Sequence, residues 1–136
     1  MLFRSTWAVI GEATAGVVLY FTVTSDDMLF ACDYQGGVFR SEDNGMTWID
    51  IRPERDIVRV KCLLVDPNDI LFAGTYRGLG LYRTADHGNT WVASNSGIER
   101  PVVHSLAMSD NGTMYAGIYQ GTVDRKSTRL NSSHRL

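Results

Sequence analysis

With 136 residues, 44% of them hydrophobic and 21% charged, the chain has the size and balance of one globular domain or a piece of one. A formal net charge of −2 excludes a strongly basic nucleic-acid or polyanion binder. Two cysteines, Cys32 and Cys62, make neither a metal-ligand spacing nor a disulfide framework and read as two buried free thiols.

The first apolar run, WAVIGEATAGVVLYFTV beyond Arg4, imitates a secretory leader. Glu12 interrupts it, and it is too short and broken to span a bilayer, so no signal peptide is identified. Its second half instead opens a repeating unit. The run ending at Val23 is closed by the turn residues TSDD, and MLFACDY, the turn QGG and VFRS follow. The polar stretch SEDNGMTW comes next. The second unit repeats this order with DPND, ILFAGTY, RGLG, LYRT and TADHGNTW. A third begins with SDNG and TMYAGIYQGTV. Phe30, Phe72 and Tyr115 correspond, as do Tyr34, Tyr76 and Tyr119, at spacings of 42 and then 43 residues. Upstream, Val18, Val60 and Val103 align, then Phe21, Leu63 and Leu106, then Val23, Val65 and Met108.

Each unit reads as four short strands, rich in β-branched and aromatic residues and bounded by turn signals. No stretch holds a helical period. A repeating four-stranded unit of about 40–45 residues predicts a β-propeller blade. The expected fold is therefore all-β, an incomplete β-propeller. Residues 17–51 and 58–93 form two blades, and 102–123 form half of a third. Thr6 and Trp7 match Thr47–Trp48 and Thr90–Trp91, so they read as the last strand of a preceding blade, and Thr-Trp is expected to open each fourth strand.

The pattern S/T-x-D-x-G-x-T-W resembles the Asp-box, or BNR, repeat of sialidase-like and sortilin-like propellers, some xyloglucan hydrolases and many secreted bacterial repeat proteins. The resemblance covers nearly all of residues 6–123. The residue types suit a hairpin. Asp43 and Asp86 accept backbone N–H bonds, Gly45 and Gly88 take positive φ, and Trp48 and Trp91 supply an apolar face. Ser41 and Thr84, with Thr47 and Thr90, add side-chain hydrogen bonds. In the families resembled these hairpins lie on the periphery, so the ten residues are expected to be structural. A paired-carboxylate catalytic reading and a calcium reading of SEDNG are both weaker.

The turns YQGG, YRGLG and YQG offer Tyr34, Tyr76 and Tyr119, with Arg77, as a binding rim on the face where propellers usually take ligands. The plain alternative is that glycine makes the turn and tyrosine packs beside it. The blade-to-blade links IRPERDI and SNSGIERPV open on the same face, and Arg52 and Arg55 join the rim candidates. His87 falls inside a box and His104 on a strand, neither with a partner visible in the sequence. Asn111-Gly112-Thr113 is formally a glycosylation sequon, but it also makes a hairpin turn.

The resemblance implies a non-catalytic scaffold or binding module of a secreted or surface protein. Its partner would be a carbohydrate or a protein, with no nucleic acid, cofactor, metal or membrane span. A sialidase-like or xyloglucanase-like hydrolase portion, with its catalytic residues mostly in other blades, is the alternative. The arginine cluster and aromatic-Arg-Ile-Pro stretch of sialidases are not matched; Ile51-Arg52-Pro53 comes nearest. A third implication is an assembly factor resembling photosystem II stability propellers.

After Val123 the repeat gives way to DRKSTRLNSSHRL. A widely used sequencing-library adapter translates as DRKSTRLNSSH, and its reverse complement, started at GTG, as MLFRS. Residues 1–5 and 124–136 are thus expected to be adapter-derived, the latter a disordered tail, and the rest a fragment. Within residues 6–123, 8 basic side chains against 14 acidic ones leave −6. Two blades without their neighbours are expected to associate through edge strands and open faces.

Overall fold

A computed structural model of the chain describes residues 17–53, 59–76, 79–95, 102–119 and 130–131. Thr6, Trp7, Arg55 and Arg77 lie outside the described residues. All regular structure among them is β, in three antiparallel sheets. The first runs β1 (Val18–Val23), β2 (Leu29–Asp33), β3 (Val38–Ser41), β4 (Ile49–Asp50), each strand beside the next. The second repeats that order with β5 (Val60–Val65), β6 (Leu71–Thr75), β7 (Leu81–Thr84) and β8 (Val92–Ala93). The third pairs β9 (Val102–Met108) with β10 (Met114–Tyr119), and β10 with β11 (Leu130–Asn131). The expected two whole blades and the half blade are these sheets.

Two boundaries differ from expectation. The fourth strands begin one residue after Trp48 and Trp91, because the box hydrogen bonds hold the chain in its turn as far as Thr47 and Thr90. Inside the segment read as a disordered tail, Leu130 and Asn131 pair with Tyr119 and Ile118, taking the place that β3 and β7 hold in the other sheets.

The sheets pack face to face through their innermost strands, β1 against β5 and β5 against β9. The middle sheet is therefore covered on both sides, and all five residues of β6 are buried. Their alternation sorts them, as a strand's period of two requires. Leu71 and Ala73 join Phe30, Cys32, Val38, Ile51, Val60 and Leu63 between the first two sheets. Phe72, with Leu81 and Met114, packs between the second and third. Burial pushes both thiols up to about 12, with Cys32 and Cys62 each remaining free. Polar clasps lie at the rim of the first interface. Arg40 Nη1 donates to the His87 carbonyl at 2.8 Å, and Ser25 N donates to Asp69 Oδ1 at 2.8 Å.

Each innermost strand carries one unpaired residue at the same repeat position. Val18 pairs with Asp33 and Tyr20 with Cys32, leaving Leu19 out; Lys61 is skipped between Val60 and Cys62, and His104 between Val103 and Ser105. These are β-bulges, and each shifts the phase of its strand by one residue.

Among the described residues nothing gives the first sheet's outer face such cover: Phe21 and Val23 are each 52% exposed, whereas their counterparts Leu63 and Val65 face the first sheet. Phe30 and Phe21 should therefore respond in opposite ways to truncation. Phe30→Ala should cost about 3–5 kcal/mol in denaturant unfolding. Phe21→Ser should leave the midpoint nearly unchanged and lower the average mass measured by sedimentation. Unaltered self-association in Phe21→Ser would exclude that face as the contact.

Candidate ligand-binding face

Both ends of the blades carry polar residues, and their construction differs. At one end the third strand runs into the box. Ser41 Oγ donates to Asp43 Oδ1 at 2.8 Å and accepts the Gly45 N–H at 2.8 Å. Asp43 Oδ1 also accepts the Thr47 N–H at 2.8 Å, and its other oxygen takes the Thr47 hydroxyl. Thr84, Asp86, Gly88 and Thr90 repeat every one of these bonds, with distances of 2.7–2.9 Å for the same three. The carboxylates are acceptors for a tight turn, so the threonine and serine donors hold Asp43 and Asp86 down at about 2.

Gly88 has φ of +90°, and a Cβ there would lie 2.4 Å from Ile51 Cδ1. Its two reasons for being glycine are thus conformation and contact with the preceding blade. The tryptophans differ: Trp48 Nε1 donates to Gly45 O within its own box at 3.1 Å, whereas Trp91 Nε1 reaches Ile51 O of the preceding blade at 2.7 Å. His87, in the left-handed region at φ 58°, stacks on Phe30 and places Nε2 3.6 Å from Asp26 Oδ2, so it has partners that the sequence did not show. Asn111 Oδ1 accepts the Thr113 N–H at 3.0 Å in its hairpin turn.

At the opposite end, the β2–β3 and β6–β7 turns and the last residue of β10 bring the tyrosines forward. Tyr34, Tyr76 and Tyr119 are 67%, 47% and 38% exposed. They are not separate. The bulged Lys61 sets its ammonium 4.8 Å from the Tyr34 ring centre and 5.2 Å from that of Tyr76. The bulged His104 stands edge-on between Tyr76 and Tyr119, with ring centres 6.2 and 6.1 Å away. The result is one row: Tyr34, Lys61, Tyr76, His104, Tyr119. Lysine over a tyrosine face is a favourable cation–π contact.

The backbone under the row is already paired. Tyr34 N donates to Val17 O at 2.8 Å and Tyr76 N to Arg59 O at 2.9 Å. Gly36, at φ +89°, lets Arg59 pass so closely that a Cβ would sit 2.6 Å from its Cα. Glycine thus makes the turn, as the plain reading held, yet the tyrosine beside it stays open to solvent. Lys61 was missed in the sequence and His104 was noted there without a partner, although the uneven spacing of Val60, Leu63 and Val65 marks the bulge that presents Lys61.

Arg52, the other described rim candidate, is engaged elsewhere. Its Nη2 lies 2.6 Å from Asp50 Oδ2, and it lines a cleft of about 450 Å³ with Trp91, Asn89 and Tyr82 between the first two blades. Among the described residues there is no group of three or more metal-ligating side chains. No helix among them is long and apolar enough to cross a membrane.

No protein-family model and no curated protein sequence matches the chain. Solved structures do. It is similar to a Niastella koreensis GH74 enzyme, at 18% identity over 74% of this chain and 17% of that one, with a TM-score of 0.60. It is similar to YCF48 bound to D1 peptide, at 17% identity over 79% of this chain and 36% of that one, TM-score 0.62. The extracellular domain of the one-component system BT4673 from B. thetaiotaomicron matches at 19% identity over 79% of this chain and 15% of that one, TM-score 0.55. At these identities the likeness carries the fold alone: the chain forms the blades of a partial β-propeller, and it spans about a third or less of the length of these proteins.

The lowered carboxyls fix a pH dependence. A group that ionises lower in the folded chain than its ordinary 3.8 contributes stability that is complete above that value. The contribution is lost as pH falls toward about 2. Asp43→Asn with Asp86→Asn should therefore lower the urea midpoint at pH 6, and the gap from the parent chain should close between pH 4 and pH 2. A gap that stays constant across that range would show that the boxes do not depend on their charge.

Proposed function

We propose that the chain is a non-catalytic, ligand-binding portion of a secreted or surface Asp-box propeller, and that its ligand lies across the tyrosine row. One observation carries this reading. The tyrosine recurs in every repeat at the same end of the blade, remains exposed, and is joined to its neighbour by a side chain that a bulge directs there. Exposed aromatic faces with a few placed polar groups are what binding surfaces use. The expected partner is a carbohydrate or a protein segment. A protein of the same fold has been seen with a D1 peptide bound. The extracellular placement rests on the Asp-box resemblance, and the extracellular BT4673 domain shares the fold.

The hydrolase reading asks for an acidic pair or an arginine cluster on the tyrosine face. Asp43 and Asp86 do not supply it, because both belong to hairpins at the far end of the third strands and accept bonds within them.

The test is a screen of the immobilised chain against glycan and peptide arrays. The Tyr34→Ala, Tyr76→Ala double variant should weaken every genuine hit by at least about tenfold. Retained binding in that variant would place the site elsewhere. Release of reducing sugar from a bound glycan by the parent chain would favour the hydrolase reading.

A further inference from the structure

We propose that the row takes an acidic, proline-rich peptide in the polyproline II conformation; the proposal rests on the reading of this face as a binding surface. Three features of the row lead there. The first is spacing. One ammonium lies 4.8 Å from the Tyr34 ring centre and 5.2 Å from that of Tyr76, so those rings stand within about 10 Å of each other. His104 sets the bound for Tyr76 and Tyr119 at about 12 Å. A polyproline II helix advances about 9.3 Å per turn of three residues. That advance fits inside both bounds, so prolines three apart on one side of the helix can reach neighbouring tyrosines.

The second feature is the paired backbone. Val17 O and Arg59 O already accept from Tyr34 and Tyr76, so a peptide gains nothing there by adding as a β-strand. It must bind through side chains and through its own carbonyls, which polyproline II leaves unbonded and directed outward. Tyrosine hydroxyls and the Lys61 ammonium are donors for them.

The third is charge. Lys61 stands between two rings, half-buried, with a second cationic residue, Arg59, two positions before it. A carboxylate between successive prolines meets that cation, and neutral or basic prolines-rich chains lack the match. The row is also interrupted rather than continuous, because a bulged side chain fills each gap. A helix that turns one residue in three toward the protein has room for those side chains.

The experiment uses the full chain tethered sparsely to a biosensor surface, so that copies do not meet. The probes are a Pro-Pro-Glu repeat peptide, its Pro-Pro-Lys and Gly-Gly-Glu counterparts, and an oligogalacturonate. The proposal expects the Pro-Pro-Glu peptide to bind most tightly and to weaken about tenfold in Lys61→Glu. Lys61→Arg should restore it and Phe21→Ser, remote from the row, should not alter it. The flexible Gly-Gly-Glu peptide should bind more weakly, because it must be ordered first. Equal binding of the Gly-Gly-Glu peptide would overturn the conformational claim. Tyrosine-dependent binding of oligogalacturonate in place of the peptides would overturn the peptide while leaving the binding face intact. Loss of binding by none of the row variants, or no binding of any probe, would overturn both.

Discussion

A single unpaired residue in the innermost strand of each blade governs both the core and the open face. Strand side chains alternate, so residues three apart ordinarily face opposite ways. Val60 and Leu63 nonetheless share one inter-blade core, and Val65 packs against it. Lys61, skipped in the pairing with β6, makes that arrangement possible. Cys62 is thereby turned to the other interface, where it meets Val103, Ala116 and Ile118. The same shift at His104 lets Val103 and Leu106 both face the middle blade. Without the bulge, half of each strand would present its apolar residues to the wrong side.

The displaced residue is not wasted. It sits at the end of the strand next to the tyrosine turn, and at Lys61 and His104 its side chain stands between two rings. Packing and recognition are thus separated along a blade only a few residues long. The box end closes the third and fourth strands with hydrogen bonds that use up its carboxylates. The tyrosine end closes the second and third with glycine and leaves its side chains to solvent. Charge that is committed to a turn cannot serve a ligand, and aspartates held well below the ordinary carboxyl range, as Asp43 and Asp86 are, suit acid–base chemistry poorly.

Much of this was legible in the sequence, and the limits have physical causes. The blades, their order and the correspondence of Tyr34, Tyr76 and Tyr119 follow from periodic residues and turn chemistry, which act locally. The internal bonding of the boxes also follows, since serine, aspartate, glycine and threonine at that spacing have few other ways to satisfy one another. What escaped was contact across blades. Nothing near Trp91 in sequence says that its indole will reach Ile51, nor that His87 will meet Phe30 and Asp26. Lys61 and His104 were hidden for a different reason. Their neighbours' spacing of three and then two was visible, but its meaning depends on the pairing register, which belongs to the partner strand. Arg52 shows the reverse error: a charged link residue near the rim is drawn to the acid two positions before it.

The arrangement also explains how such a face can vary without harm to the fold. The tyrosine is constant across the three repeats, whereas the bulged position is leucine, lysine and histidine in turn. A bulged residue has no ladder partner and, at this end of the strand, no place in the core. Its identity is therefore set neither by pairing nor by packing density, the two constraints that fix its neighbours. On the proposed reading, the rings supply the contact area and the side chain between each pair sets the charge that area accepts. On that reading, specificity falls to the residues that stability leaves unconstrained.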